Sequence, residues 1–204
     1  MTRNSAIRLA LLVLSGGANS WADHAPGSPA FQVVVRLFGA EEVYGPDLRG
    51  AKDVAAAILA SAGVQLRWQD ADAFQPVAET IDVRLLPSTP LRRSPRRLGE
   101  ALPFAHSGVR ITVFLDRVSD CASRNPLLKQ RILGHVLAHE IGHVLQGRAL
   151  HSRTGVMKAN WDDSDYLIMR VKNLEFTRED KAVIAAHLAQ SRALQADESR
   201  STNF

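Results

Sequence analysis

The chain has one cysteine, Cys121, in 204 residues. An intramolecular disulfide is therefore excluded, as is any cysteine-based zinc cluster, so a bound metal must take histidine and carboxylate ligands. No apolar run approaches the ~20 residues that a helix needs to cross a bilayer. Aromatic residues make up 6% of the chain, and none interleave with the one basic cluster, Arg92, Arg93, Arg96 and Arg97, so a stacking platform for nucleic acid is not expected. An acidic D-x-D-x-D-G type calcium loop is also missing. Charge of one sign is scarce too: 25 Lys plus Arg against 21 Asp plus Glu give a net +4.

Hydrophobic residues account for 46% of the chain, enough for one good-sized core. The amino end carries Arg3 and Arg8 and no acid, then the apolar run Leu9 to Leu14, then small residues from Ser15 to Ser20. That is the three-part plan of a secretory signal peptide, with cleavage after Ser20 or Ala22. Removing residues 1–22 leaves 182 residues with 23 basic and 21 acidic side chains, close to neutral. The expected organisation is a signal peptide over 1–22, a single domain over 23–195 and a flexible tail over 196–204. The product is expected to be a secreted or periplasmic monomer without a stable membrane anchor and without a nucleic-acid partner.

Within the domain, Phe31 to Phe38 is β-branched and apolar, as in a strand buried on both faces. Asp47 to Ala62 predicts a helix ended by Gly63, with Val54, Ile58 and Leu59 on one side. Val64 to Trp68 and Ile81 to Leu85 alternate apolar and polar, as half-buried strands do. Pro87 to Arg97 reads as a solvated loop and its arginines as surface charge. Leu98 to Phe104 reads as a short edge strand, since Pro103 is tolerated mainly at edges. Val109 to Leu115 is a further strand. Asn125-Pro126 opens a core helix to about Gln146, closed by Gly147, and Thr177 starts a last helix to about Leu194.

The core helix contains His139-Glu140-Ile141-Gly142-His143. Histidines four apart project from one helical face, so both imidazoles can reach one ion at ~2.0 to 2.1 Å. Glu140, about 100° further round, lies beside the metal without ligating it, where it can take a proton from a water and pass it to a leaving amine. His135 sits one turn earlier on nearly the same face. Paired with His139 it would have Val136 where the glutamate belongs, so it reads as a structural histidine. Candidates for a third ligand are His151, His106, Asp162, Asp163, Glu175 and Glu179. Cys121 lies before the expected helix start at Pro126, which is itself thirteen helical residues, or ~20 Å, ahead of His139, and it reads as an isolated loop thiol.

The stretch from His139 to Met157, HEIGHVLQGRALHSRTGVM, resembles the metzincin zinc endopeptidases, and its His-Ser-x-x-Gly-x-Met ending is most similar to the matrixin branch. The resemblance implies that His139, His143 and His151 bind Zn2+, that Glu140 is the general base, that Gly147 turns the chain and that Met157 is the Met-turn residue. Gly147 and His151 stand four and eight residues after His143, one extra residue on each side of the glycine relative to the family pattern. A Tyr two residues past the methionine is replaced by Ala159, which leaves Tyr166 as a distant candidate for steadying an oxyanion. The implied fold is α+β: a twisted, mostly parallel sheet with one antiparallel edge strand, a backing helix, the zinc helix and a carboxy-terminal helix. The implied activity is a zinc-dependent metalloendopeptidase whose protein or peptide substrate lies extended along the edge strand. The rival readings are a non-catalytic zinc-binding domain of the same fold and a zinc hydrolase acting on a non-peptide substrate.

Overall fold

The computed structural model describes residues 31–70, 80–91, 97–105, 109–123 and 125–201. The expected signal peptide, Arg92, Arg93, Arg96 and His106 lie outside them. The chain runs β1 (Phe31–Phe38), α1 (Gly45–Ala60), β2 (Val64–Asp70), β3 (Thr80–Leu86), β4 (Gly99–Ala101), β5 (Val109–Phe114), α2 (Leu115–Ala122), α3 (Lys129–Gln146), α4 (Asp163–Met169) and α5 (Arg178–Ser201).

The five strands form one sheet in the order β2-β1-β3-β5-β4. All neighbours are parallel except β4, which pairs antiparallel with β5 at the edge through Gly99↔Val113, Glu100↔Thr112 and Ala101↔Ile111. This is the expected architecture. The inner strands carry the pattern that parallel pairing requires: Val33, Val34, Val35, Val83 and Val113 are all buried, as strands covered on both faces must be.

Helix α3 packs along α1 and against β4 and β5. Every residue from Ile132 to Gln146 is buried, at roughly 1.5–3 kcal/mol for each large apolar side chain removed from water. It crosses α1 where Gly134 lies against Val54 and Ala51. Its C-terminal cap is Gly147, at φ 60° and ψ 29°. A side chain there would be strained by the left-handed backbone, and its Cβ would fall 2.5 Å from His187 Nε2.

Four local expectations differ. Helix α3 is preceded by a 3-10 turn at Pro126–Leu128, and the Asn125 side chain makes no capping hydrogen bond. Helix α2 follows β5 without a connecting turn, so no turn residue marks it, although Leu115, Val118 and Ala122 form its buried stripe. Helix α4 is built on Asp162 and Asp165 as a capping box. Helix α5 continues to Ser201, beyond the expected end near Leu194 and into the stretch expected to be a flexible tail. Among the described residues, no helix is long and apolar enough to cross a membrane.

Candidate metal centre

A helix buried on every side must satisfy each polar group it carries, and α3 carries five near its end. His135 is fully buried; its Nδ1 faces the Arg131 carbonyl at 2.7 Å and its Nε2 accepts from the Leu174 amide at 3.0 Å. Both nitrogens are engaged, so His135 pins α3 to the segment before α5 and is not a ligand. Gln146 donates to Asp180 at 3.3 Å.

His139 and His143 are arranged differently. His139 Nδ1 donates to the Val156 carbonyl at 2.8 Å and His143 Nδ1 to the Arg148 carbonyl at 3.2 Å. Each neutral ring then presents an unprotonated Nε2, and those two nitrogens face each other at 3.1 Å. The acceptors have no proton to share. Protonating either ring is opposed by burial, which lowers His139 to about 3 and His143 to about 4, with the neighbouring imidazoles adding to the effect. His151 completes the group. Its ring stacks on His139 at 5.3 Å and stands edge-on to His143 at 4.8 Å. One ligand nitrogen from each of the three histidines lies within 4.8 Å of the others. Such a donor set fits a divalent cation with nitrogen preference.

His151 reaches this point because its loop is tied down. The neighbouring Ser152 donates its amide to the Met157 carbonyl at 2.9 Å and its hydroxyl to Asp180 at 2.7 Å. Asp180, 2% exposed, also accepts from the Thr177 amide and hydroxyl at 3.0 and 2.8 Å, while its own amide donates to Thr177 Oγ1 at 3.1 Å. Thr177 therefore caps α5 as expected, and the same carboxylate anchors the His151 loop. Sequence reading missed Asp180's second role; only the T-x-x-D spacing hinted at the cap. Met157 is fully buried, with its sulfur against Gly142, between the positions of His139 and His143 on α3.

Glu140 is 6% exposed and borders the cleft that opens over the three histidines, a cavity of about 770 Å³. Its carboxylate accepts no hydrogen bond from a described residue, and burial raises its pKa to about 8, against the opposing pull of Arg97. It sits under the edge strand: a Cβ on Gly99 would come within 2.9 Å of Glu140 Oε1. A carboxylate and three imidazole nitrogens thus share one solvent-connected cleft in which a cation would relieve all four.

The other expected ligands are used elsewhere. Asp162 caps α4 through Ser164 and Asp165 and pairs with Lys158, which also reaches Asp165. Glu175 pairs with Lys181 at 3.3 Å. Neither Asp163 nor Glu179 joins the histidines in the metal-capable group. Two sequence readings are corrected. Cys121 is not remote: it lines the same cleft as His139 and Glu140 and accepts from Tyr166 Oη at 3.7 Å, because α2 turns back beside α3 and residue count along the chain does not measure that distance. Arg97, whose sequence context reads as loop charge, also lines the cleft. Trp161 was not anticipated either; it stands edge-on to His139 at 5.8 Å.

No protein-family model matches the chain, and no curated protein matches its sequence. Among solved structures, it is similar to archaemetzincin from Methanopyrus kandleri at 18% identity and TM-score 0.47, over 81% of this chain and 98% of that one. It is also similar to metalloproteinase-II from Bacteroides fragilis at 12% identity and TM-score 0.45, over 78% of this chain and 53% of that one. Myroilysin aligns at 10% identity and TM-score 0.36, over 73% and 70% of the two chains.

Proposed function

We propose that this chain is a zinc-dependent metallopeptidase of zincin type, exported from the cytoplasm, with His139, His143 and His151 as metal ligands and Glu140 as general base. The observation that carries the reading is the meeting of three imidazole nitrogens within 4.8 Å beside a buried carboxylate that no described donor satisfies. A purely structural zinc site is closed by four protein ligands and needs no carboxylate beside an open position. Zinc bound by three histidines supplies Lewis acidity to a scissile carbonyl and acidifies a bound water.

The chain's own residues do the rest. The Val156 and Arg148 carbonyls hold the His139 and His143 rings in the tautomer that presents Nε2. Glu140, held in a low-polarity pocket under Gly99, takes a proton at its carboxylate and returns it to the departing amine. The free side of β4 offers main-chain groups to which an extended peptide can add as a further strand. The turn around Met157 serves as the Met-turn of a matrixin-like branch. Export rests on Arg3, the Leu9 to Leu14 run and the small residues that follow.

The test compares wild type with Glu140→Ala and His151→Ala, reading bound zinc and cleavage of a mixed peptide library. Glu140→Ala is expected to keep zinc and lose at least about 100-fold in cleavage, the size of a general-base contribution; His151→Ala is expected to lose zinc affinity. A Glu140→Ala protein with full activity sinks the mechanism, and a His151→Ala protein that binds zinc as tightly as wild type moves the third ligand elsewhere.

A further inference from the structure

The cleft over the histidines is lined by three basic side chains, Arg97, Arg117 and Lys158. Lys158 is committed to Asp162 and Asp165. Arg117 donates Nη1 to the Arg97 carbonyl at 2.8 Å, which fixes the backbone from which Arg97 springs. On the other side of that residue, the Leu98 carbonyl accepts from the Phe114 amide at 2.9 Å, which ties the chain to the sheet edge just before β4. Side chains two apart on an extended chain share a face. The face to which Gly99 belongs is known, because a Cβ there would meet Glu140. Ala101 therefore emerges towards α3 as well, and it is short. Arg97, beyond the bend at Leu98, borders the same cleft as Glu140 and the three histidines.

The Arg97 side chain is exposed, and its guanidinium makes no ion pair or hydrogen bond with a described residue. Its charge favours the Glu140 carboxylate and disfavours the His151 imidazolium, which places it within electrostatic reach of both. Glu100 and Asp120 also line the cleft, so the cleft is of mixed charge and Arg97 is a local cation within it, not part of a uniformly basic groove.

Resting on the peptidase reading above, we propose that Arg97 is a specificity residue that receives a carboxylate of the substrate, placed within a residue or two of the bond to be cut. A guanidinium is suited to this because its planar fork can give a carboxylate two parallel hydrogen bonds. The carboxylate has two sources, the free carboxy terminus of a peptide or an Asp or Glu side chain, and they imply different enzymes. A terminal carboxylate held here makes the protein a carboxypeptidase; an acidic side chain makes it an endopeptidase selective for acidic sequences.

The experiment uses the full chain loaded with zinc and silenced as Glu140→Gln, with and without Arg97→Gln. Three peptides of one sequence are titrated by calorimetry: one amidated and free of acids, one with a free carboxy terminus, and one amidated with a single Glu beside the scissile position. At least one carboxylate peptide is expected to bind about 10-fold tighter than the neutral one, the scale of a charge-assisted hydrogen bond in a partly solvated site. With Arg97→Gln that ratio is expected to fall to about 1. Which peptide shows it identifies the source. The inference is overturned if the ratio is already near 1 with Arg97 present, if neither carboxylate peptide binds, or if the ratio persists in Arg97→Gln, which would assign the carboxylate to the metal alone. Turnover of the same peptides by the unsilenced protein separates the two readings: an Arg97-dependent preference without cleavage fails the peptidase reading only, and cleavage without the preference fails this one only.

Discussion

Replacing Asp180 by alanine removes the acceptor on which three segments converge. The carboxylate is 2% exposed and takes hydrogen bonds from the Thr177 amide and hydroxyl, the Ser152 hydroxyl and the Gln146 amide. Each bond to a charged, buried acceptor contributes about 1.5–3 kcal/mol alone, but the four share one acceptor and do not add. Loss of the α5 cap accounts for about 1 kcal/mol, and the donors orphaned in the interior bring the expected total to about 4 kcal/mol. That is a large part of the 5–15 kcal/mol typical of a domain. The metal is expected to feel the change too, because Ser152 fixes the backbone next to His151; loss of such an outer support lowers zinc affinity by about 10- to 100-fold. The assays are urea unfolding of metal-free protein and a zinc titration against a competing chelator. Ser152→Ala serves as the partial version, costing about 1 kcal/mol and less than the full loss of affinity. An Asp180→Ala protein within 1 kcal/mol of wild type, or one with undiminished zinc affinity, would refute the view that this carboxylate holds the loop.

Other outcomes follow from the same geometry. Glu140 has a folded pKa of about 8 against an ordinary 4.5; a carboxyl raised in this way favours folding while protonated, so its contribution is intact below pH 4.5 and is lost as pH climbs towards 8. Metal-free Glu140→Gln is therefore expected to exceed metal-free wild type in stability by under about 1 kcal/mol at pH 5 and by about 4 kcal/mol at pH 8; a gap that does not grow with pH in urea melts contradicts the assignment. Gly99→Ala places a Cβ 2.9 Å from Glu140 Oε1 and 3.1 Å from the Thr112 carbonyl, so cleavage is expected to fall by about 100-fold while zinc content stays near wild type, and an unimpaired Gly99→Ala enzyme would mean Glu140 needs no such fit. Gly147→Ala combines a left-handed backbone with a clash against His187, and its thermal midpoint is expected to drop by an amount equivalent to about 2 kcal/mol or more; an unchanged midpoint would show that the cap relaxes freely.

The parts of this molecule that repeat with a period were legible in the sequence. The β-branched runs of β1 and β5 and the helical spacing of α3 each express one local rule over many residues, and the HEIGH pattern inherits its face from that helix. Short elements were not legible. Helix α2 has eight residues with no break from β5, and α4 depends on two aspartates that equally resembled metal ligands until their hydrogen bonds to Ser164 and Lys158 were placed. Contacts between segments distant in sequence were the least accessible. Nothing in the order of residues says that Arg97, Cys121 and Trp161 border one cleft; that follows from β4, α2 and the segment after the Met157 turn packing around the same end of α3.

The loop after α3 carries a last consequence. His143 Nδ1 is held by the carbonyl of Arg148, a residue in the stretch between His143 and His151. The length of this stretch is thus not slack. Trimming it back would remove or redirect the group that orients a ligand at the same time as it moved the next ligand, so each of the two changes would need the other. Loop length and ligand chemistry in this protein are coupled traits, and variation at 147–151 is expected to occur as whole-segment exchange in preference to single insertions or deletions.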